Sequence, residues 1–447
     1  MIGTLRREVL NFLSDQKFSE ILTGSAWAIS ARLLAAGFGL VSSIIIARSY
    51  GAEVVGIVAL LSSFLQLATI FTVLGTSTSI LRLIPEHLTK YSPTSAFKVY
   101  RKTLYMVIGI SLITGTLCFF GSGLIADRVF AKPQLSFYFA LAAVFVVFKS
   151  LMSLNTQAVR GLMLIRIFAL MLILPQSFNL IFLILFGILL ASMNVPIYAM
   201  LGSFAFAGIL GWVIMECAFK KRMQPQDSVQ LMPTREIFTI SLPMLMTATM
   251  NFVIGETGVI MLGMFRSETE VGYYAIAVKL ATLTTFILSA INSMAAPKFS
   301  ELFHSGKIDE LFYIAKRSAK LIFWTTTPIL LGLVIFGKSV LSIIFGHEFV
   351  IAYPALVLLV LGEFVNSISG STGYFMNMTG NQSVFRNIII FATICNVTLN
   401  LFLVPSKGIL GAAIAAITSV SIWNITTLIY IKAKFGKTIG YFPLYEK

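Results

Sequence analysis

The length of the apolar runs constrains this chain more than any other feature. Residues 25–47, SAWAISARLLAAGFGLVSSIIIA, open a series of such runs, each about 20 to 27 residues long and separated by short polar stretches. A helix rising about 1.5 Å per residue needs about 20 residues to cross ~30 Å of hydrocarbon, whereas a barrel strand would alternate over about ten. The runs therefore predict an all-α, polytopic membrane protein. Twelve spans are read near 24–47, 54–80, 103–125, 137–158, 167–191, 195–218, 237–263, 273–296, 321–345, 354–376, 387–405 and 409–431. With 57% apolar and 11% charged residues, the chain has too little polar surface for a water-facing globule. The first 22 residues mix Arg6, Arg7 and Lys17 with Glu8, Asp15 and Glu20, which suits an interfacial amphipathic lead-in rather than a cleavable signal.

Charge placement sets the expected orientation. Of the 33 Lys and Arg residues, 24 fall at the termini or in loops after even-numbered spans, 5 in the other loops and 4 inside spans. Cationic loops stay on the cytoplasmic side, so both termini are expected there. The net charge of +15 is then a consequence of topology, and no nucleic-acid partner is implied. Cys118, Cys217 and Cys395 sit singly in apolar runs, and His87, His304 and His347 are scattered through separate loops, so neither a disulfide framework nor a metal site is expected.

The most polar stretch between spans, 219–236, divides the chain into an N-terminal six-helix lobe (1–218) and a C-terminal lobe with its tail (237–447). The halves echo one another. VGIVA (55–59) matches VGYYA (271–275), and NLIFL (179–183) resembles NLFLV (400–404), at offsets of 216 and 221 residues. Six is even, so both halves enter the membrane from one side, as a parallel repeat about an axis along the membrane normal, with a substrate path between the lobes. GLVIFGKS (332–339) fits the letters of a phosphate-binding loop but runs through the outer part of span 9, without the strand and flexible turn that such a loop needs. Lys338 is read instead as snorkelling to the interface. No cofactor is expected, and a proton or cation gradient is the expected energy source.

Charges inside spans are costly, about 2.5 to 3.5 kcal/mol at a helix centre, so function should concentrate on them. Arg32 (span 1) and Lys149 (span 4) both count to ~12 to 14 Å above the cytoplasmic face. The face of Arg32 carries Ser25, Ala28, Ala36, Gly39 and Ser43, which suits either close helix packing or a water-filled cavity holding an anionic headgroup. Glu256 (span 7) and Lys279 (span 8) fall at comparable depth, either as a static pair or as one that opens when a proton or cation binds Glu256. Glu363 (span 10) shares a helical stripe with Asn366, Gly370 and Gly373, fit for a cavity lining or for helix packing. Glu216 lies beside Lys220 and Lys221 at a span end and is set aside.

Three stretches carry a family resemblance: GSAWAISARLLAAGFGLVSSIIIARSYGAEVVGIVALLSSFLQLATIFTVLG; ISLPMLMTATMNFVIGETGVIMLGMF with SETEVGYYAIAVKL; and NLFLVPSKGILGAAIAAITS. They resemble polysaccharide-biosynthesis flippases of the Wzx type, in the multidrug/oligosaccharidyl-lipid/polysaccharide (MOP) exporter superfamily. The likeness covers nearly the whole chain through diffuse patterns. It implies two six-helix lobes in a V around a central cavity, and a polyprenyl-diphosphate-linked oligosaccharide (an O-antigen, capsule or exopolysaccharide unit) moved from the cytoplasmic to the outer leaflet of a bacterial inner membrane. A polysaccharide polymerase and other assembly proteins would be partners alongside membrane lipids. Relatives often carry Asp where this chain has Glu256.

On this reading Arg32 and Lys149, with Ser25 and Gly39, hold the diphosphate, while Glu256, Lys279 and Glu363 serve coupling or gating. A multidrug antiporter would favour an apolar, aromatic or acidic cavity. A peptidoglycan-precursor flippase commonly has extra spans. A membrane glycosyltransferase would usually need a sizeable outer loop carrying acids or arginines. Twelve spans do not exclude the peptidoglycan-precursor flippase, which stays the nearer alternative, with the multidrug antiporter as the other.

Overall fold

A computed structural model describes residues 16–223 and 232–443, and the described residues hold helices but no strand. Helix α1 (Gln16–Val73) has 58 residues, far more than one crossing needs. Gly51, at φ 80° and ψ 175°, divides it into two arms of span length, a backbone conformation that costs glycine little and other residues much. Counted this way, the eleven helices long and apolar enough to span provide twelve crossings. The even number puts the two ends of the described chain on one face.

The second arm stops earlier than the sequence suggests. Leu74 (φ 48°) and Gly75 (φ 75°) are consecutive left-handed residues that end it at Val73, short of the expected residue 80. A separate helix follows, α2 (Thr76–Lys90), which buries Ile80, Leu83, Ile84 and His87 on one face while Arg82 and Lys90 pair with Glu86 on the other.

The first half continues with α3 (Pro93–Phe120), α4 (Ser136–Gly161), α5 (Ile165–Leu189) and α6 (Val195–Lys220). The second half holds α7 (Thr234–Phe265), then α8 (Glu268–Ala281), which runs through a 3-10 turn into α9 (Thr285–His304), and α10 (Ile308–Val340). Span 10 is not one helix. It breaks at Gly370 (φ 71°) into α11 (Tyr353–Ser369) and α12 (Thr372–Met378), where a methyl on Gly370 would lie 2.6 Å from Ala319 Cβ. Helices α13 (Gln382–Lys407) and α14 (Ile409–Phe435) complete it. The phosphate-loop look-alike 332–339 is helical within α10, and Lys338 lies over the Tyr353 ring.

The cores explain the shape. On the face opposite the chain ends, one hydrophobic core draws on both halves, with Ile46, Leu60, Phe139 and Phe204 packed in the same cluster as Val259, Tyr273, Phe345 and Leu356. On the terminal face two smaller cores stand apart. Leu83, Tyr100, Leu154 and Phe219 form one, with Ile237 from the start of α7 packed into it, and Phe299, Phe312, Phe375 and Ile431 form another. The halves thus form a V, with the start of α7 lying on the first half. Apolar side chains such as Phe120, Ile188 and Phe402 face outward, an arrangement that lipid tolerates and water would not.

Candidate functional site

At the apex of the V, both arms of α1 meet α5, α6, α7 and α8 around a cavity of about 340 Å³. Small residues on α1 make the room. A methyl on Gly39 would lie 3.1 Å from Gln176 Oε1 and 3.7 Å from Lys279 Nζ. Ser42 Oγ and Asn179 Oδ1 line this cavity without a hydrogen-bond partner in the protein. Buried polar atoms are rarely left unsatisfied, so water or ligand has acceptors and donors to meet here.

Glu256 and Lys279 both line the cavity, yet no ion pair joins them. Each is held by the other half of the chain. Ser63 Oγ on α1 donates to Glu256 Oε2 on α7 (2.5 Å), and Lys279 Nζ on α8 donates to the Gly39 carbonyl (2.6 Å) and to Ser43 Oγ on α1. The helices are close enough at this depth for the acid and base to find partners across the interface before they find each other.

Lys149 on α4 is 8% exposed, and its Nζ lies 4.0 Å from the centroid of the Phe204 ring, whose other surroundings include the central cavity. It lines a second chamber of about 240 Å³ with Gln66, Thr69, Thr156 and Gln157. Its charge rests on an aromatic face rather than on a carboxylate.

Glu363 lines a third chamber of about 190 Å³ with Tyr274, Asn396 and Asn400, which adjoins the central cavity through Gly255 and Val278. Asn366 Nδ2 donates to Glu363 Oε2 (3.3 Å), and Asn400 Oδ1 has no partner. The predicted stripe is interrupted, because the break at Gly370 puts Gly373 on α12.

Arg32 is exposed and lines none of these three chambers. It precedes Gly39 by seven residues, hence shares its helix face two turns nearer the terminal side. Arg32 and Lys149 are therefore not brought into one chamber. Ser25 falls within α1, but its side chain lies outside the described residues. Glu216 pairs with Arg101 (3.3 Å). The sequence reading missed Ser63, Gln176, Asn179, Asn396 and Asn400. Gln176 with Asn179, and Asn396 with Asn400, are polar pairs at helical spacing inside apolar runs, a signal that would have found them.

On the face opposite the termini, polar contacts tie the halves. Arg48 Nε donates to the Ile344 carbonyl (3.0 Å), and the backbone N–H of Ala52 donates to Glu348 Oε1 (3.2 Å). Lys132 Nζ donates to the Arg266 carbonyl (2.5 Å) and lies 3.5 Å from Glu268, to which Gln134 also donates. Burial holds the Lys132 ammonium below the usual lysine range, although Glu268 opposes the shift.

The sequence profile described as "Polysaccharide biosynthesis protein" matches residues 45–354, which hold the lining of the central cavity except Gly39, Ser42 and Ser43. The chain belongs to this family. Among its relatives, the probable low-salt glycan biosynthesis flippase Agl15 of Haloferax volcanii is 22% identical over 199 residues, 44% of this chain and 42% of that protein. The probable flippase AglR of the same organism is 29% identical over 170 residues, 37% and 35% respectively. The chain thus spans less than half the length of either relative.

A MATE multidrug transporter in an inward-facing conformation superposes with a TM-score of 0.74 at 15% identity, over 92% of this chain and 98% of that one. The lipid II flippase MurJ, inward closed, gives 0.73 at 15% identity over 92% and 87%. An outward-facing MATE structure gives 0.60 at 15% identity over 93% and 95%. The chain thus has the fold of these MOP-superfamily transporters, and the inward forms superpose on it better than the outward form does.

Proposed function

We propose that this multi-pass membrane protein is a transporter rather than an enzyme, a flippase that moves a lipid-linked glycan between leaflets by alternating access. The observation that carries the reading is the central cavity between the lobes. Lys279 lies inside it, Lys149 stands behind Phe204, and Arg32 sits on the approach along the same face of α1, against Glu256 as the one acid of that cavity. Cations in and around this cavity suit an anionic headgroup with a hydroxyl-rich glycan, while the prenyl tail stays in lipid. They work against an organic cation, which is the reason to prefer a glycan flippase over a multidrug antiporter despite the shared fold. The names of the relatives, which speak of glycan biosynthesis and flippases, support the same choice.

The finer reading is a polyprenyl diphosphate carrying an O-antigen, capsule or exopolysaccharide unit, delivered to an assembly system that includes a polymerase. A lipid II precursor is the alternative cargo. The orientation rests on charge placement: both termini lie on the cytoplasmic side of a bacterial inner membrane, so the V opens inward. A phosphate oxygen would compete with the Gly39 carbonyl for the Lys279 ammonium. Binding would thereby break a bond between the lobes at the moment when they must move, with a proton or cation on Glu256 loosening its bond to Ser63.

Purified protein in proteoliposomes should move a fluorescent polyprenyl-diphosphate oligosaccharide between leaflets. Failure with this lipid and with a lipid II analogue, alongside export of an organic cation, would overturn the assignment. Reporter domains fused after residues 130 and 305 should report the outer and the cytoplasmic side respectively, and both on one side would break the twelve-crossing topology. Arg32→Ala should slow transport about tenfold by removing the cation at the approach, with Arg32→Lys intermediate because it keeps the charge and loses the two-pronged grip. Undiminished affinity for a polyprenyl diphosphate in Arg32→Ala would remove Arg32 from headgroup binding.

A further inference from the structure

The internal repeat meets itself at one point in the fold. Gly56 and Gly272, the glycines of VGIVA and VGYYA, lie against each other between the second arm of α1 and α8, both buried. The contact is reciprocal. A methyl on Gly56 would strike the Glu268 carbonyl oxygen and lie 3.0 Å from the Gly272 nitrogen, and a methyl on Gly272 would strike the Ala52 carbonyl oxygen and lie 3.1 Å from the Gly56 nitrogen. Ala52 and Glu268 are separated by the same 216 residues as the two glycines, so the repeat axis passes between them. The Arg48, Glu348 and Lys132 contacts sit around this point, and the central cavity lies beneath it.

We infer that Gly56 and Gly272 form the closing contact of the cavity on the side opposite the termini, and that their parting is the step that opens the cavity to that side. Backbone against backbone leaves no space for a side chain in the closed state. In a parted state the same positions have room. A methyl group at either glycine therefore acts against one state only. Around it lie hydrogen bonds, one ion pair and side chains of the shared core, which can rearrange, whereas the glycine contact demands the absence of atoms. This deepens the transport reading and rests on it.

The test uses Ser62→Cys, which lines the central cavity, with Cys118, Cys217 and Cys395 replaced by serine. A membrane-impermeant maleimide is added from the side opposite the termini. Gly56→Ala and Gly272→Ala should each raise the labelling rate by about tenfold, the order by which overpacking one tight contact shifts a two-state equilibrium. Folded variants that label at the parent rate would overturn the inference.

Should either alanine variant fail to fold, the pair Gln134→Cys and Glu268→Cys replaces it, since the parent side chains are 3.1 Å apart. Bridging this pair with a short bis-thiosulfonate should stop transport until reductant is added, and transport that continues through the bridge would overturn the inference. Labelling needs no substrate. If the alanine variants open the cavity while the parent moves no lipid-linked glycan, the flippase reading fails and the gate stands.

Discussion

Lys279→Met should abolish flipping, by two orders of magnitude or more, while the purified protein becomes no less heat-stable. The ammonium sits in the apex cavity with the Gly39 carbonyl and Ser43 as its partners and no carboxylate bonded to it. Removing a charge from mid-membrane is favourable by about 2.5 to 3.5 kcal/mol on insertion scales. The Gly39 carbonyl keeps Ser43 Oγ as a donor (3.0 Å), so losing the lysine costs it less, about 1 kcal/mol. A merely structural lysine would therefore leave transport little changed, or lower transport and stability together. A headgroup ligand behaves differently. Affinity for a polyprenyl diphosphate, read by titration of the purified variant, should fall with the flipping rate, and Lys279→Arg should restore part of each. Unchanged affinity in Lys279→Met would exclude Lys279 from the headgroup site.

Glu256→Gln should flatten the dependence of transport on pH and on cations, with the maximal rate falling about tenfold or more. The carboxylate accepts from Ser63 across the lobes, and a charged acceptor makes roughly the stronger bond. Glutamine removes the charge that a coupling proton or cation would meet and keeps a neutral acceptor for Ser63, so the variant should lose its response to imposed gradients while still being inserted and folded. The measurement is the flipping rate in proteoliposomes across pH and with imposed sodium or proton gradients. Parent-like kinetics under all these conditions would retire Glu256 as a coupling residue, and loss of folded protein would assign it to holding the lobes together.

The twelve crossings were legible in the sequence because bilayer thickness acts on length and apolarity alone. The two breaks were not. Leu74 with Gly75, and Gly370, interrupt runs that stay apolar on both sides, and what stops each helix is tertiary: Gly75 approaches the Ser241 backbone, and Gly370 abuts Ala319. The site was half legible. Charges stand out in apolar runs, so Lys149, Glu256, Lys279 and Glu363 were found, and all four line chambers. Their partners were misjudged, since depth counted along separate helices says nothing about which helices adjoin. Glu256 meets Ser63 instead of Lys279, and Lys149 meets the face of Phe204. The echo of VGIVA in VGYYA carried more than it promised, because a parallel repeat brings its own equivalent residues together at the axis.

The shared core on one face has a consequence for biosynthesis. Ile46, Leu60 and Phe139 pack in one cluster with Tyr273, Phe345 and Leu356, all of which are synthesised later. At about 5 to 20 residues per second, the ribosome needs some tens of seconds to add the second half. Throughout that interval the first six crossings stand in the bilayer with their share of this core facing lipid. The newborn half must be inserted yet unfinished, and any factor that escorts it should recognise the surface that the later helices will cover.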